Sequence, residues 1–183
     1  MSYACRAMKR MPRHARPFRP VLSLAFVLSL VLLGCRDSQS AAVPASSGPA
    51  PRTDFRLETL EGKPLGPRDF QGQVVVVDFW ATWCGPCHIQ TKILEPIHKD
   101  FQGKGVQFLA ANVGEDTDTV RAFLKERPIP YTVLMDPEDV AGELGVMALP
   151  TLMIIDKQGR VSYFEPGLAD GPTIRQALRQ AGA

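Results

Sequence analysis

Val74-Val75-Val76-Val77-Asp78-Phe79-Trp80 runs without a break into Ala81-Thr82-Trp83-Cys84-Gly85-Pro86-Cys87. A continuous β-branched run with no polar alternation is what a strand covered on both faces of a parallel sheet requires, so Val74 to Trp80 predicts a central strand. Downstream, Ile89, Ile93, Ile97 and Phe101 recur every four residues, the spacing of one apolar stripe on a helix, and Gly103 and Gly105 stop it. Pro96 is expected to kink this helix. Two cysteines therefore stand where a buried strand ends and a helix begins.

Working outward, Val106 to Val113 is the next apolar strand, and Thr117 to Arg127 carries Val120, Phe123 and Leu124 at helical spacing before Pro128. Tyr131 to Met135 reads as a short strand. Asp136-Pro137 reads as an N-cap with proline at the first helical position, opening a helix of about two turns that Gly145 closes. Thr151 to Ile155 and Val161 to Phe164 flank Asp156-Lys157-Gln158-Gly159-Arg160, a hairpin turn, and Asp170 to Gln180 makes a last helix. Leu57 to Leu65, around Gly62, predicts an extra hairpin before the main sheet. Strands alternating with helices and closing on a hairpin and helix describe an α/β sandwich with a mixed sheet in one domain, residues 54–183.

The remaining residues read differently. The chain has 183 residues and a formal charge of +2, but Arg6, Lys9, Arg10, Arg13, Arg16 and Arg19 crowd the first twenty positions. From Cys35 onward 15 basic residues face 19 acidic ones, a net charge of −4, so composition gives the domain no case for nucleic acid. After the basic stretch, Val21 to Leu33 is uncharged and too short to cross a bilayer, which takes about 20 helical residues. It has the length of a signal-peptide core, placing a leader at residues 1–34. Its end, Leu32-Leu33-Gly34-Cys35, resembles the lipobox of bacterial lipoproteins, which implies cleavage before Cys35 and lipidation of its sulfur. Residues 35–53, rich in Ala, Ser and Pro, cannot bury enough apolar surface to offset their ordering entropy and predict a flexible tether.

With Cys5 in the leader and Cys35 at the lipid site, Cys84 and Cys87 are the thiols left to the domain, and they pair with each other or with a partner. At a helix N-terminus, unsatisfied backbone N–H groups and the helix dipole stabilise a thiolate, so an exposed Cys84 is the expected nucleophile. Cys87, one turn inward, can attack a mixed disulfide on Cys84 and release the product.

Asp78-Phe79-Trp80-Ala81-Thr82-Trp83-Cys84-Gly85-Pro86-Cys87 resembles the active-site segment of thioredoxins, and Ala148-Leu149-Pro150-Thr151 is similar to their second signature. Within that superfamily the extra hairpin and the strand and helix inserted near 131–145 resemble the membrane-tethered TlpA and ResA proteins. The resemblance implies a three-layer thioredoxin-like sandwich. It implies that Asp78 is a buried acid relaying a proton for Cys87, its pKa raised by the valines around it. It also implies a cis Pro150 that shields the disulfide, Leu149 backbone groups offered to an extended substrate, Trp83 covering the site, and Gly167 near the substrate groove. A water-facing Asp78, a trans Pro150, a purely packing Trp80 and a plain turn at Gly167 are the structural alternatives.

Departures from that pattern are specific. Gln90 stands where many TlpA and ResA proteins carry a titratable Glu, Ala110 where thioredoxins have a Lys near the buried acid, and Lys92 where the helix proline is usual. Competing chemistries follow from the same residues: Cys84-Gly85-Pro86-Cys87-His88 satisfies the c-type haem pattern, two thiolates with His88 could hold copper, and the fold also serves peroxidases. Neither haem nor copper accounts for the Pro150 signature. The sequence therefore predicts a lipid-anchored thiol-disulfide oxidoreductase of the bacterial envelope, monomeric and needing no cofactor. Disulfide-bonded envelope proteins are its expected substrates, and a membrane thiol donor is expected to supply electrons. The Gly-Pro dipeptide between the cysteines resembles the reducing end of the superfamily.

Overall fold

The computed structural model describes residues 52–183. The leader, Cys5, Cys35 and most of the expected tether lie outside the described residues. Strands β1 (Leu57–Thr59), β2 (Pro64–Leu65), β3 (Val74–Trp80), β4 (Val106–Val113), β5 (Thr132–Asp136), β6 (Thr151–Ile155) and β7 (Val161–Pro166) form one sheet in the order β2-β1-β5-β4-β3-β6-β7. Strand β3 is parallel to β4 along its whole length and antiparallel to β6. The described residues also form four α-helices, α1 (Gly85–Phe101), α2 (Thr117–Glu126), α3 (Val140–Glu143) and α4 (Gly171–Gln180), and one 3-10 turn at Pro67–Phe70.

Seven consecutive buried residues in β3 explain the unbroken apolar run, because both faces of this strand are covered. On one face Val74, Val76 and Trp80 join Phe108, Leu152 and Ile154 beneath Leu94 and Ile97 of α1, Val120 of α2 and Ile174 and Leu178 of α4. On the other, Val75, Val77 and Phe79 join Leu109 and Met153 beneath Phe55, Ala141 and Leu144. Alternating side chains thus build two cores around a single sheet, giving the three-layer sandwich expected from the sequence. The N-terminal hairpin turns at Gly62, whose φ of 76° suits glycine, and β1 then pairs with β5, so the hairpin extends the sheet itself.

Two local expectations are corrected. The face of α1 that enters the core is centred on Cys87, Gln90, Thr91, Leu94 and Ile97, with Ile93 and Phe101 packed at its edge, so of the predicted apolar stripe Ile89 alone leaves the core. Ile89 is 53% exposed, whereas Gln90 is fully buried. An apolar count misses this because two of the inward positions are polar and are satisfied by hydrogen bonds. Likewise Asp136 ends β5, and the N-cap of α3 is Asp139, held at φ 62°. Asp136 still acts on that helix from a distance, its two carboxylate oxygens accepting the N–H groups of Val140 and Ala141 at 2.8 and 2.7 Å.

The shifted helix face has a measurable consequence. Leu94→Ala should lower unfolding stability by about 2–5 kcal/mol through lost burial and a cavity, and Ile89→Ala should change it by less than about 0.5 kcal/mol. Urea unfolding of both variants checks this; comparable losses would return Ile89 to the packed face.

Candidate active site

Strand β3 delivers the chain into the loop Ala81–Trp83, and Cys84 follows as N-cap of α1. Cys84 and Cys87 are joined as a disulfide, with Cα atoms 5.3 Å apart. The Cys87 N–H donates to Cys84 Sγ at 3.2 Å, so the first sulfur receives a backbone dipole from the turn it caps. When the bond opens, that donor and the helix terminus favour negative charge on Cys84. Cys84 is more enclosed than the sequence suggests, at 4% exposure against 0% for Cys87, because it packs in the same apolar cluster as Trp80 and Ala81. The outer sulfur is still the one nearer solvent.

Two side chains, Glu115 and His88, fix the loop before Cys84. Glu115 accepts the Thr82 N–H at 2.7 Å, the Thr82 hydroxyl, and the Asn112 side-chain amide at 2.7 Å. On the other side the Thr82 carbonyl meets His88 Nε2 at 3.0 Å, while His88 Nδ1 meets the Arg127 guanidinium at 3.2 Å. Guanidinium groups only donate, so Nδ1 accepts and Nε2 carries the hydrogen given to Thr82. His88 is therefore a strut for the loop, both nitrogens engaged, and not the free solvated residue that the cysteine motif alone allows. Glu115 was missed: it directly precedes the α2 N-cap Asp116, so in sequence it reads as an ordinary acid at a helix start, with nothing to signal a partner 33 residues away.

The second signature lies across the same core. The Leu149-Pro150 peptide bond is cis, and Leu149 packs against the cluster that contains both cysteines. Gly167, at φ 97°, donates its N–H to the Pro150 carbonyl at 2.7 Å, next to the Thr151–Pro166 pair of β6 and β7. Gln90 binds the next residues of that turn: its Oε1 accepts the Ala169 N–H at 2.8 Å and its Nε2 donates to the Ala169 carbonyl at 3.4 Å. A carboxylate could accept but not return that second bond, so the amide ties the cysteine helix to the Gly167 turn. Trp83 is 73% exposed and Met147 87%, and Ile89 and Leu168 are also exposed. All four apolar side chains belong to the segments carrying the disulfide, Pro150 and Gly167.

Asp78 lies in the middle of β3, fully buried, its strand alternation placing it on the face that Cys87 packs against. Its register partners are Ala110 on β4 and Leu152 on β6, so no ammonium group comes from the position where thioredoxins carry lysine. Oδ2 accepts a long hydrogen bond, 3.4 Å, from the Tyr131 hydroxyl, and Oδ1 has no partner. Burial pushes the Asp78 pKa up to about 8, with the Tyr131 hydroxyl opposing. Among the described residues no three His, Cys, Asp or Glu side chains form a metal-ligand group.

Residues 49–164 match the AhpC/TSA family. The chain belongs to that family. It is 35% identical over 126 residues to the thiol-disulfide oxidoreductase ResA of Geobacillus thermodenitrificans, covering 68% of this chain and 72% of that one. The thioredoxin-like protein YneN of Bacillus subtilis is 31% identical over 129 residues, with 68% and 75% covered. Among solved structures, a thioredoxin-family thiol:disulfide interchange protein of Chlorobium tepidum superposes with a TM-score of 0.62 at 28% identity, covering 75% of this chain and 99% of that one. With its cysteine pair joined at the start of α1, this member of the AhpC/TSA family is a thiol-disulfide oxidoreductase of thioredoxin-like fold.

The buried acid imposes a pH dependence on folding. Between about pH 4 and pH 8 the unfolded chain releases the Asp78 proton and the folded chain keeps it, so stability falls as pH rises through that window. Asp78→Asn removes the effect. In the oxidised protein its stability relative to wild type should grow by on the order of 4 kcal/mol from pH 4.5 to pH 8, read by guanidinium unfolding. Parallel curves for the two proteins would mean that Asp78 does not hold its proton on folding.

Proposed function

We infer that the protein reduces disulfides of other proteins in the cell envelope. The carrying observation is the Cys84–Cys87 pair at the N-terminus of α1, with Cys84 receiving the Cys87 N–H. In the reduced protein the Cys84 thiolate attacks a substrate disulfide, forming a mixed disulfide and expelling one substrate thiolate. Asp78, as carboxylate, takes the proton of the Cys87 thiol; the Cys87 thiolate attacks Cys84 Sγ, and the second substrate thiolate leaves. Two electrons pass from protein to substrate, and the internal disulfide remains. Pro150 shields that disulfide, Leu149 offers its backbone to an extended substrate, and Trp83 and Gly167 border the groove. Support for an apolar docking surface comes from exposed Trp83, Ile89, Met147 and Leu168, which belong to the segments carrying the disulfide, Pro150 and Gly167.

Reduction is favoured over oxidation by the Gly85-Pro86 dipeptide, and the His88 ring is held by Thr82 and Arg127 instead of being directed at Cys84. The leader and Leu32-Leu33-Gly34-Cys35 support an anchor: a signal peptide over residues 1–34, a lipid on Cys35 and a tether to residue 53, with the domain facing the periplasm or extracytoplasmic space. A reductase there needs a membrane thiol donor to return Cys84 and Cys87 to the dithiol. Among the described residues no helix is long and apolar enough to cross a membrane. Monomeric action without a cofactor is sufficient for this cycle.

Substitution at each cysteine separates the two steps. Cys84→Ser should abolish disulfide reduction, while Cys87→Ser should still attack and accumulate mixed disulfides through Cys84, visible as higher-mass species on non-reducing gels. Equal residual turnover in the two variants, with no trapped species, contradicts the assignment.

A further inference from the structure

Asp78 can serve repeated cycles only if the proton it takes from Cys87 can leave, and full burial cuts it off from water. Its surroundings are nearly all apolar. Across the sheet stand Ala110 and Leu152, α4 contributes Ile174, Ala177 and Leu178 to the same layer, and α1 contributes Cys87. Tyr131, just ahead of β5, brings the hydroxyl that reaches Asp78 Oδ2 at 3.4 Å. The Tyr131 ring is itself buried and packed against two rings, with centroids 5.6 Å from His98 and 5.8 Å from Phe108, so the ring is held and the hydroxyl proton is what remains free to turn.

That hydroxyl has a second neighbour in Thr91, whose own hydroxyl donates to the Cys87 carbonyl at 3.1 Å. Thr91 lines a groove open to solvent, together with Trp80, Glu95, Phe123 and Ile129. Glu95 stands at the outer end, paired with Lys92 at 2.8 Å, and its charge also acts on Tyr131. From solvent inward the polar groups therefore run Glu95, Thr91, Tyr131, Asp78, through a wall that is otherwise apolar. The Tyr131 hydroxyl donates to Asp78 in this structure, and the neighbouring Thr91 oxygen is the second acceptor toward which a hydroxyl passing a proton on would turn. Burial and the charges of Asp78 and Glu95 push the Tyr131 pKa up, so it stays protonated and able to donate throughout the cycle.

We propose that Tyr131 is a positioning residue of the reaction: its hydroxyl orients the Asp78 carboxyl and, through Thr91, carries the Cys87 proton between Asp78 and the groove at Glu95. The proposal rests on Asp78 acting as the base for Cys87. No net charge is stored: the proton leaving Cys87 reaches Asp78, crosses to Thr91 as the Tyr131 hydroxyl gives one proton and takes another, and leaves to water, while the departing substrate thiolate takes one proton from solvent.

The test is a single turnover of the full-length reduced protein with excess oxidised glutathione between pH 5 and pH 10, quenched in acid, alkylated and digested. The peptide holding Cys84 and Cys87 is weighed as dithiol, glutathione mixed disulfide or internal disulfide, which gives attack and ring closure as separate rates. Tyr131→Phe keeps the ring and loses the hydroxyl. Attack should stay within about twofold of wild type, while ring closure should slow about tenfold at pH 7 and its pH midpoint should move up, because a hydrogen bond favouring the carboxylate is gone. Asp78→Asn should remove that midpoint. If Asp78→Asn removes it and Tyr131→Phe changes neither rate nor midpoint, the Tyr131 role is wrong and the Asp78 role stands. If Asp78→Asn closes with the wild-type profile, both are wrong. Should Tyr131→Phe fail to fold, Thr91→Val carries the test: slowed closure restored by Thr91→Ser supports the route, and wild-type closure in Thr91→Val overturns it.

Discussion

Seven consecutive residues of β3 have no access to water, and one of them is an aspartate. Burying that strand is what the remaining elements accomplish: β4 and β6 pair its edges, α1, α2 and α4 cover one face, and Phe55, Ala141 and Leu144 cover the other. Val74 to Val77, Phe79 and Trp80 supply the apolar area that makes this burial favourable. Asp78 opposes it, because a carboxylate there must either lose its charge or destabilise the fold. The protein retains a group that costs stability at neutral pH on the sheet face that Cys87 also packs against, and the proposed proton chemistry of Cys87 would give that group a use.

From this strand the site follows by short covalent distance and a few long-range bonds. Cys84 is four residues past the end of β3, so the position of the strand sets the position of the sulfur to within one loop. Glu115 and His88 hold that loop from opposite sides, and Gln90 and Gly167 join the helix to the Pro150 segment. Each of these bonds involves a buried or half-buried backbone group that would otherwise go unsatisfied, so they specify the geometry of the loop as well as stabilise it.

Much of this was legible in the chain. The valine run, the cysteine pair at a strand-to-helix junction and Leu149-Pro150-Thr151 are local signals, and the fold and the two sulfurs follow from them. What escaped was polar and distant. Gln90 and Thr91 enter the core face, whereas Ile89, which apolar periodicity assigns to it, is exposed, since hydrogen bonds to Ala169 and to the Cys87 carbonyl replace apolar burial. Glu115 and Tyr131 act on residues 33 and 53 positions away, and no local pattern marks an acid or a tyrosine for such a partner. Asp136 capped its helix as its neighbours suggested, but from the end of a strand, because Asp139 takes the left-handed turn between them.

A buried acid and a cysteine pair capping a helix are compatible with electrons moving either way, and the proposed function requires one direction, reduction of substrate disulfides. Equilibrating the full-length protein in graded ratios of reduced and oxidised dithiothreitol, and weighing the peptide that carries Cys84 and Cys87, gives the midpoint of the couple directly. The account predicts a value at the reducing end of thioredoxin-like proteins, near about −270 mV. A midpoint near about −120 mV, where a dithiol serves as a strong oxidant, would contradict it.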